Sequence, residues 1–312
     1  MSEHNCEKKK YNNKPDAFRL VAYGLGMVIV LICAVILFII LIKKVEENKE
    51  QESFGTECES IQELVSVEWE VISDDGENAD EELSDVYAAR ETLIANWENI
   101  PAGTVIEAEE IDFSNLSQYF VTYEISDEVY DYINEKSYRE NEDVLLSDLR
   151  YMKLLHYNFE HELQVGELIV AAELESDYIG IFTELFEEEY EIQSLYLPDR
   201  YWTGDPTDTD TASIDDNNSS CFLYRPVTGG SKLSMHSYGR AIDINPQQNP
   251  YVSYRTGEPV WEHENANDYI DRTTGLPHMI TEEDVCYRIF TKYGFEWGGS
   301  WEYVKDYEHF EK

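Results

Sequence analysis

The chain has 312 residues, with 23 Lys and Arg against 65 Asp and Glu, and a formal net charge of −42 at pH 7. Nucleic-acid phosphates and anionic lipid headgroups would repel a chain this acidic, which argues against both as partners. Hydrophobic residues make up 42% of the sequence, so most of it is expected to fold around a core. We interpret the charge as that of a solvated surface, with an affinity for cations or basic partners as the alternative.

A long uncharged segment, Leu20 to Ile42, lies near the N-terminus. A helix of this length crosses a bilayer with some tilt. Lys43 and Lys44 follow it directly, which favours an uncleaved signal anchor over a cleaved signal peptide. The N-terminal flank carries more basic residues, so residues 1–19 are predicted to be cytoplasmic. The chain after about residue 45 is then extracellular, on a single-pass membrane protein.

The rest of the chain divides into two parts. Residues 43–116 are rich in Glu and Ser and are predicted to be an acidic stalk or linker, with helical character between Asp80 and Asn99. Residues 117–312 mix strand and helix patterns without a regular βαβ rhythm, which predicts an α+β domain. The expected elements are strands over 119–125, 166–172 and 192–197, helices over 126–134 and 176–188, and a polar loop over 203–220.

The five cysteines contain no C-x-x-C pair, so a thiolate zinc site is not expected. Cys221 and Cys286 could form a disulfide in an oxidising exterior, which would leave Cys58 unpaired. Three free thiols are an equally open alternative, because spacing alone does not determine pairing.

Two segments near the C-terminus carry residues with metal chemistry. The first holds His236, Gly239 and Asp243, and the second holds Asp306 and His309. Two imidazoles and one carboxylate provide the three N/O ligands of a catalytic zinc site, and a second carboxylate could act as the base. The spacing of three between Asp306 and His309 predicts a helical turn with both side chains on one face.

The strand pattern around Asp243 supports this interpretation. Ala241 to Ile244 alternates, so Ala241 and Asp243 would share one face while Ile242 and Ile244 point into the core. Taken singly, each site residue has a more common structural role: a lone histidine is usually a packing or surface residue, and Asp306 and Glu308 could be solvated acids in an acidic chain. The joint spacing is what favours a metal site.

The first segment resembles the Ser-x-His-x-x-Gly-x-Ala-x-Asp signature of the zinc D-alanyl-D-alanine carboxypeptidase and L-alanyl-D-glutamate endopeptidase family. The C-terminus is similar to that family's Trp-Gly-Gly-x-Trp and Asp-x-x-His-Phe-Glu motifs. The resemblance covers about residues 117–312. The segments that carry it are Gly166 to Val170, Asn217 to Arg225, Ser234 to Asp243, Asp243 to Pro246, Asn249 to Val252, Trp297 to Trp301, and Asp306 to Glu311.

The resemblance implies a role for five residues. His236, Asp243 and His309 match the Zn²⁺ ligands, and Asp306 matches the catalytic carboxylate. Arg225 matches the arginine that stabilises the substrate carbonyl oxygen as it becomes an oxyanion. The implied fold is a small antiparallel sheet with helices, which carries zinc in a cleft.

The implied activity is hydrolysis of peptidoglycan stem peptides by a membrane-anchored extracellular zinc peptidase. The bond is either D-alanyl-D-alanine or L-alanyl-D-glutamate. One alternative is a catalytically inactive wall-binding or scaffolding protein on the same fold. Another is a sensor or assembly factor that recruits a partner through its acidic stalk. Neither His263 nor His278 lies in a second ligand pattern, and both are interpreted as loop or turn residues.

Overall fold

The computed structural model describes residues 78–312. Its largest sheet is built on two long antiparallel strands, β3 (Leu149–Tyr157) and β4 (Leu163–Ala171), which pair from Leu149 opposite Ala171 to Tyr157 opposite Leu163. Two short strands, β1 (Val105–Ile106) and β2 (Val121–Tyr123), complete a four-stranded sheet in the order β1-β4-β3-β2.

Two smaller antiparallel sheets occupy the C-terminal part. The first has three strands in the order β5-β9-β7, and the second pairs β6 with β8. Their strands are β5 (Ala241–Asp243), β6 (Tyr251–Ser253), β7 (Glu296–Trp297), β8 (Val304–Asp306) and β9 (His309–Glu311). The α+β class with small antiparallel sheets is thereby confirmed.

The α-helices of residues 78–312 are α1 (Asn78–Ala95), α2 (Asp127–Ile133), α3 (Glu175–Glu187), α4 (Pro206–Asp215) and α5 (Val285–Lys292). Helix α3 buries Tyr178, Ile181, Phe182, Leu185 and Phe186 in the main core. These positions recur at three- and four-residue spacing, the pattern that places side chains on one helix face. Burial of this face is what attaches α3 to the sheet.

Several predicted elements are confirmed with small shifts. Helix α2 begins after Ser126, whose Oγ accepts a hydrogen bond from the backbone N–H of Val129 at 3.2 Å. The predicted strand at 166–172 is part of β4, and the predicted helix at 176–188 is α3. The apolar-rich segment around residues 145–155 contributes most of β3.

Two predicted elements are wrong. Residues 192–197 form no strand and make one isolated bridge, between Leu195 and Ser219. The predicted polar loop over 203–220 contains α4, which Asp205 caps by accepting hydrogen bonds from the N–H groups of Thr207 and Asp208. The helix has no regular apolar stripe, so hydrophobic periodicity does not reveal it.

The compact unit that holds all these elements begins at Glu77. Leu93, Trp97, Ile106 and Ile111 are buried in its main core. The last part of the segment predicted as a stalk, residues 43–116, therefore packs with the predicted peptidase domain.

The predicted membrane anchor, Leu20 to Ile42, lies outside the described residues. Within residues 78–312, no helix combines the length and the apolar character that crossing a bilayer requires. Of the cysteines discussed above, Cys221 and Cys286 are buried free thiols in the structure.

A buried histidine in β3 makes stability depend on pH. His156 is 2% exposed, its Nδ1 lies 3.2 Å from the carbonyl oxygen of Tyr157, and its Nε2 has no partner within residues 78–312. Burial lowers the pKa of His156 from 6.5 to about 4. As the pH falls, His156 binds a proton near pH 6.5 in the unfolded chain but only near pH 4 in the folded protein. The free energy of unfolding therefore decreases between about pH 6.5 and pH 4.

We expect the free energy of unfolding of the metal-free protein to fall by about 2–3 kcal/mol more between pH 7 and pH 4.5 than that of a His156→Gln variant. Urea unfolding of both proteins at the two pH values measures the difference. Metal-free samples keep loss of a bound ion out of the comparison. Equal pH dependence in the two proteins would contradict a neutral buried His156.

Candidate metal centre

His236 is presented by a short 3₁₀ helix, Met235–Tyr238. Ser234 caps it, with its Oγ accepting a hydrogen bond from the N–H of His236 at 3.4 Å. Gly239 ends it in the left-handed region with φ of 65°, and a Cβ there would lie 2.6 Å from the backbone nitrogen of Ala171. A residue with a side chain would thus be strained and would clash, so glycine lets the turn pack closely against β4.

Asp243 and His309 face each other across a strand pair. In the register of β5 and β9, Asp243 lies opposite His309 and Ile242 lies opposite Phe310. Both Ile242 and Phe310 are fully buried in the main core, and for Ile242 the alternating pattern predicts this. The buried pair anchors the two strands and leaves Asp243 and His309 on the other face.

The three side chains converge. Nδ1 of His309 lies 3.0 Å from Oδ1 of Asp243, and Nε2 of His236 lies 3.2 Å from Oδ2 of the same carboxylate. The two ring nitrogens are 3.2 Å apart. All three residues are buried, and one ligand atom from each lies within 4.8 Å of the others, a group that could hold a metal ion.

In each imidazole, the inner ring nitrogen contacts Asp243, and the other, outer ring nitrogen has a hydrogen-bond acceptor. Nδ1 of His236 donates to the carbonyl oxygen of Cys221 at 2.6 Å, and Nε2 of His309 donates to Oε2 of Glu311 at 3.1 Å. Such outer partners orient metal-binding histidines and direct the inner lone pair toward the ion. Two inner nitrogens at 3.2 Å that both carry lone pairs repel each other unless a proton or a metal cation lies between them. The donor set therefore fits a cation.

The electrostatics of the group also favour positive charge. Burial alone would raise the pKa of Asp243, but the two histidines hold it well below its usual range. Burial alone would lower the pKa of His309, but hydrogen bonds to Asp243 and Glu311, together with the charges of Asp243 and Asp306, raise it to about 10. The carboxylates thus stabilise a positive charge at the inner nitrogens.

Asp306 and His309 do not share a helical turn, so that prediction is wrong. Asp306 ends β8, which pairs with β6, and His309 begins β9, which pairs with β5 and β7. The chain crosses between two sheets at this point. Gly298 permits the crossing, because a Cβ at Gly298 would lie 2.6 Å from the carbonyl oxygen of Asp306 and 3.3 Å from Cβ of His309.

The Asp306 carboxyl group lies near the group formed by His236, Asp243 and His309. Its Oδ1 is buried and has no hydrogen-bond partner within residues 78–312. Burial is the main cause that raises the pKa of Asp306 to about 7, and the negative charges of Asp243 and Asp210 add to the effect, while His309 and His236 oppose it. A carboxyl group with a pKa in this range can both accept and donate a proton near neutral pH.

Glu308 is not a solvated surface acid. It is 5% exposed, and its Oε2 is buried without a partner in the described part of the chain. Burial raises the pKa of Glu308 well above its usual value, and the negative charges of Asp243, Asp306 and Asp210 raise it further. Glu308 therefore adds a buried carboxyl group two residues from Asp306.

Arg225 is buried at 8% exposure and forms an ion pair with Asp210 of α4, with 2.5 Å between Nη2 and Oδ2. Its positive charge opposes the rise in the pKa of Glu308, so Arg225 acts on the same carboxyl cluster. The structure thus brings together His236, Asp243 and His309. The charges of these three residues act on Asp306, and the charge of Arg225 acts on Glu308.

The two tryptophans of the C-terminal motif have different positions. Trp297 is buried in the main core, and its Nε1 donates to the carbonyl oxygen of Tyr307 at 2.9 Å. Trp301 is half-buried, with its ring centroid 5.5 Å from that of His309. Trp301 therefore adjoins the candidate centre, whereas Trp297 is a packing residue.

The remaining candidate histidines lie elsewhere. His263 contacts Asp215 at 2.8 Å, and His278 stacks on Phe159 with ring centroids 3.8 Å apart. Neither belongs to the group that could hold a metal ion.

Sequence reasoning missed three contributors to the site: Glu311, the carbonyl group of Cys221, and Asp210. A backbone carbonyl leaves no sequence signal. Asp210 lies in the segment predicted to be a loop, although Asp205 followed by Pro206 is a typical helix start and could have revealed α4.

Comparison with known proteins gives one match. The family model described as D-alanyl-D-alanine carboxypeptidase matches residues 228–312. This range includes His236, Asp243, Asp306 and His309, but not Arg225. Neither the search of curated proteins nor the search of solved structures gives a match. Peptidases of this family depend on zinc and act on peptidoglycan. The match and the metal-binding geometry confirm the predicted resemblance over residues 228–312, which are similar to the zinc peptidase family whose model is described as D-alanyl-D-alanine carboxypeptidase.

Proposed function

We propose that the protein is a zinc peptidase that hydrolyses stem peptides of peptidoglycan, with His236, Asp243 and His309 as the metal ligands. One observation carries the proposal: two inner imidazole nitrogens and a carboxylate converge within 4.8 Å in a buried group. Asp306 adjoins them, and its Oδ1 has no hydrogen-bond partner within residues 78–312. The proposed metal ligands and the proposed base therefore lie in one place.

The donor set suits zinc, because two imidazole nitrogens and one carboxylate oxygen are ligands that a catalytic zinc site commonly uses. A bound zinc ion supplies Lewis-acid chemistry, which activates water and polarises a carbonyl group. Cys221 and Glu311 hold the imidazoles in the ligating orientation through the outer hydrogen bonds.

Asp306 is the proposed general base and acid. Its unpartnered Oδ1 takes a proton from the attacking water and returns the proton to the nitrogen of the departing amine. A pKa raised to about 7 by burial and nearby carboxylates suits both transfers near neutral pH.

Arg225 is the proposed electrostatic stabiliser of the substrate. A buried guanidinium donates to the carbonyl oxygen as negative charge develops there. Support comes from its burial at 8% exposure and from its electrostatic effect on the carboxyl cluster.

The bond that is cut is either D-alanyl-D-alanine or L-alanyl-D-glutamate. The first makes the protein a carboxypeptidase that removes one terminal residue, and the second makes it an endopeptidase. Specificity of this kind depends on the loops that line the substrate pocket.

We also propose that the peptidase acts outside the cell and is anchored by Leu20 to Ile42. The support is the uncharged length of this segment and the excess of basic residues before it. The compact unit begins at Glu77, so the residues between the anchor and Glu77 then connect this unit to the membrane.

The test is to incubate the purified full chain with muropeptides that carry complete stem peptides, with added zinc, and to identify the products by mass. We expect hydrolysis that stops when a chelator removes the metal and returns when zinc is restored. Loss of one terminal alanine identifies the carboxypeptidase, and release of a peptide that begins with D-glutamate identifies the endopeptidase.

Stoichiometric zinc without cleavage of either bond would contradict the proposed activity. That result would favour the second candidate, a wall-binding or scaffolding protein that retains the fold. All five residues of the proposed chemistry are present, which favours the enzyme. An inactive relative needs neither a buried Arg225 nor an Asp306 whose Oδ1 lacks a partner in the described part of the chain.

A further inference from the structure

Helix α4 places one acidic residue against Arg225. Oδ2 of Asp210 lies 2.5 Å from Nη2 of Arg225, and the two side chains are 16% and 9% exposed. An ion pair this protected from solvent is screened little by salt. The contact joins residues that are 15 positions apart, so the folding of α4 is what creates it.

The backbone of Arg225 is already fixed by the turn that carries His236. The N–H of Arg225 donates to Oγ of Ser237 at 3.0 Å, and the same hydroxyl donates to the carbonyl oxygen of Arg225 at 2.7 Å. The N–H of Ser234 also donates to that carbonyl oxygen, at 3.1 Å. The ion pair is therefore not needed to fix the main chain, and what it adds is the orientation of the guanidinium group.

The donors of the guanidinium group are used unequally. Nη2 is paired with Asp210, and Nη1 makes a long contact of 3.5 Å with the carbonyl oxygen of Pro226. Nε is buried and has no partner within residues 78–312. A buried N–H without an acceptor is costly, which points to an acceptor that arrives with a ligand.

The same part of the site holds other buried polar atoms without partners. Oδ1 of Asp306 and Oε2 of Glu308 have none within the described residues. Ser234 and Ser237, which bond to the backbone of Arg225, flank His236 in the sequence. Arg225 is therefore attached to the turn that carries this proposed metal ligand.

We propose that Asp210 is a positioning residue that orients the guanidinium of Arg225, so that its Nε–H donates to the carbonyl oxygen of the scissile peptide bond. This inference rests on the proposed function. The ion pair holds one edge of the planar group and leaves Nε–H as the donor for substrate. Preorganised donors of this kind act mainly on the transition state, where charge develops on the oxygen.

The first test compares Asp210→Asn with wild type in the muropeptide assay. Because the oriented donor acts in the transition state, we expect kcat to fall about 10–100-fold, the range for loss of an outer partner, with KM nearly unchanged. Asp210→Glu, which keeps the carboxylate, should recover part of the loss. The matched control is Asp208→Asn, an exposed position on the same helix that should retain wild-type kcat.

A double-mutant cycle separates orientation from structural support. Arg225→Ala alone should lower kcat by about 10²–10³-fold, as loss of an oxyanion donor does. If Asp210 acts through Arg225, adding Asp210→Asn to Arg225→Ala should lower kcat no further. The proposal would be overturned if Asp210→Asn lowered kcat by the same factor in the wild-type protein and in the Arg225→Ala variant. It would also be overturned if Asp210→Asn lowered kcat in neither.

A second readout does not depend on hydrolysis. In protein with isotope-labelled arginine, NMR should show an Arg225 Nε–H resonance that is protected from exchange with solvent. The Arg225→Lys variant identifies this resonance, because the substitution removes it. Asp210→Asn should abolish the protection, and Asp208→Asn should preserve it. Protection that survives Asp210→Asn would overturn the positioning role. Absence of hydrolysis by the wild-type protein would count against the proposed function, while this resonance would still decide whether Asp210 orients Arg225.

Discussion

Replacing Asp306 by asparagine is expected to lower kcat for stem-peptide hydrolysis by about 10²–10⁴-fold, the range that a general acid–base group contributes. Asparagine keeps the size of the side chain but cannot take a proton from water. Steady-state kinetics on the muropeptide identified as substrate measures the change.

Two controls make this result specific. Zinc stoichiometry of the Asp306→Asn protein should stay at the wild-type value, because Asp306 lies outside the group of three ligands. Asp268→Asn changes an exposed aspartate in the same C-terminal region and should retain wild-type kcat. An Asp306→Asn protein with wild-type kcat would remove Asp306 from the mechanism.

Replacing His309 by alanine is expected to abolish stoichiometric zinc binding and, with it, hydrolysis. The imidazole provides one of the three ligand groups that lie within reach of one ion. Glu311→Gln removes only the charge of the outer partner at 3.1 Å from Nε2, so zinc affinity should fall by a smaller factor, about 10–100-fold.

Competitive titration with a chelator of known affinity ranks the three proteins. The expected order of zinc affinity is wild type, then Glu311→Gln, then His309→Ala. His263→Ala is the matched control, because His263 lies outside the metal-binding group and should leave the affinity unchanged. Zinc affinity in His309→Ala that equals that of wild type would rule out the proposed ligand set.

Local patterns predict those helices whose burial is regular. Helix α3 was predictable because its buried residues recur at helical spacing, from Tyr178 to Phe186. Helix α4 was not, because its buried positions are the polar residues Thr209 and Ser213. Packing against polar neighbours gives no periodicity in hydrophobicity, so only the cap at Asp205 marks this helix.

Strand assignment fails where a segment is apolar but has no partner along its length. Residues 192–197 look like a strand, yet Ile192 and Leu195 are buried by packing while only Leu195 makes a bridge, to Ser219. Whether an extended apolar segment joins a sheet depends on a neighbour from elsewhere in the chain, which the segment itself does not specify.

By itself, the sequence determined which residue types the candidate site contains. The identity and spacing of His236, Asp243, Asp306 and His309 predict metal binding and a base, because each motif is short and its residue types are chosen by ligand chemistry. The same segments carry the family resemblance, which the family model confirms over residues 228–312.

Only the tertiary structure decided how these residues meet. A spacing of three suits a helical turn as well as a crossing between strands, and pairing of β8 with β6 and of β9 with β5 selects the crossing. The ion pair of Asp210 with Arg225 and the outer hydrogen bonds from Cys221 and Glu311 likewise depend on the folded chain. The physical reason is that ligand type is a property of single residues, whereas orientation and burial arise from contacts between distant segments.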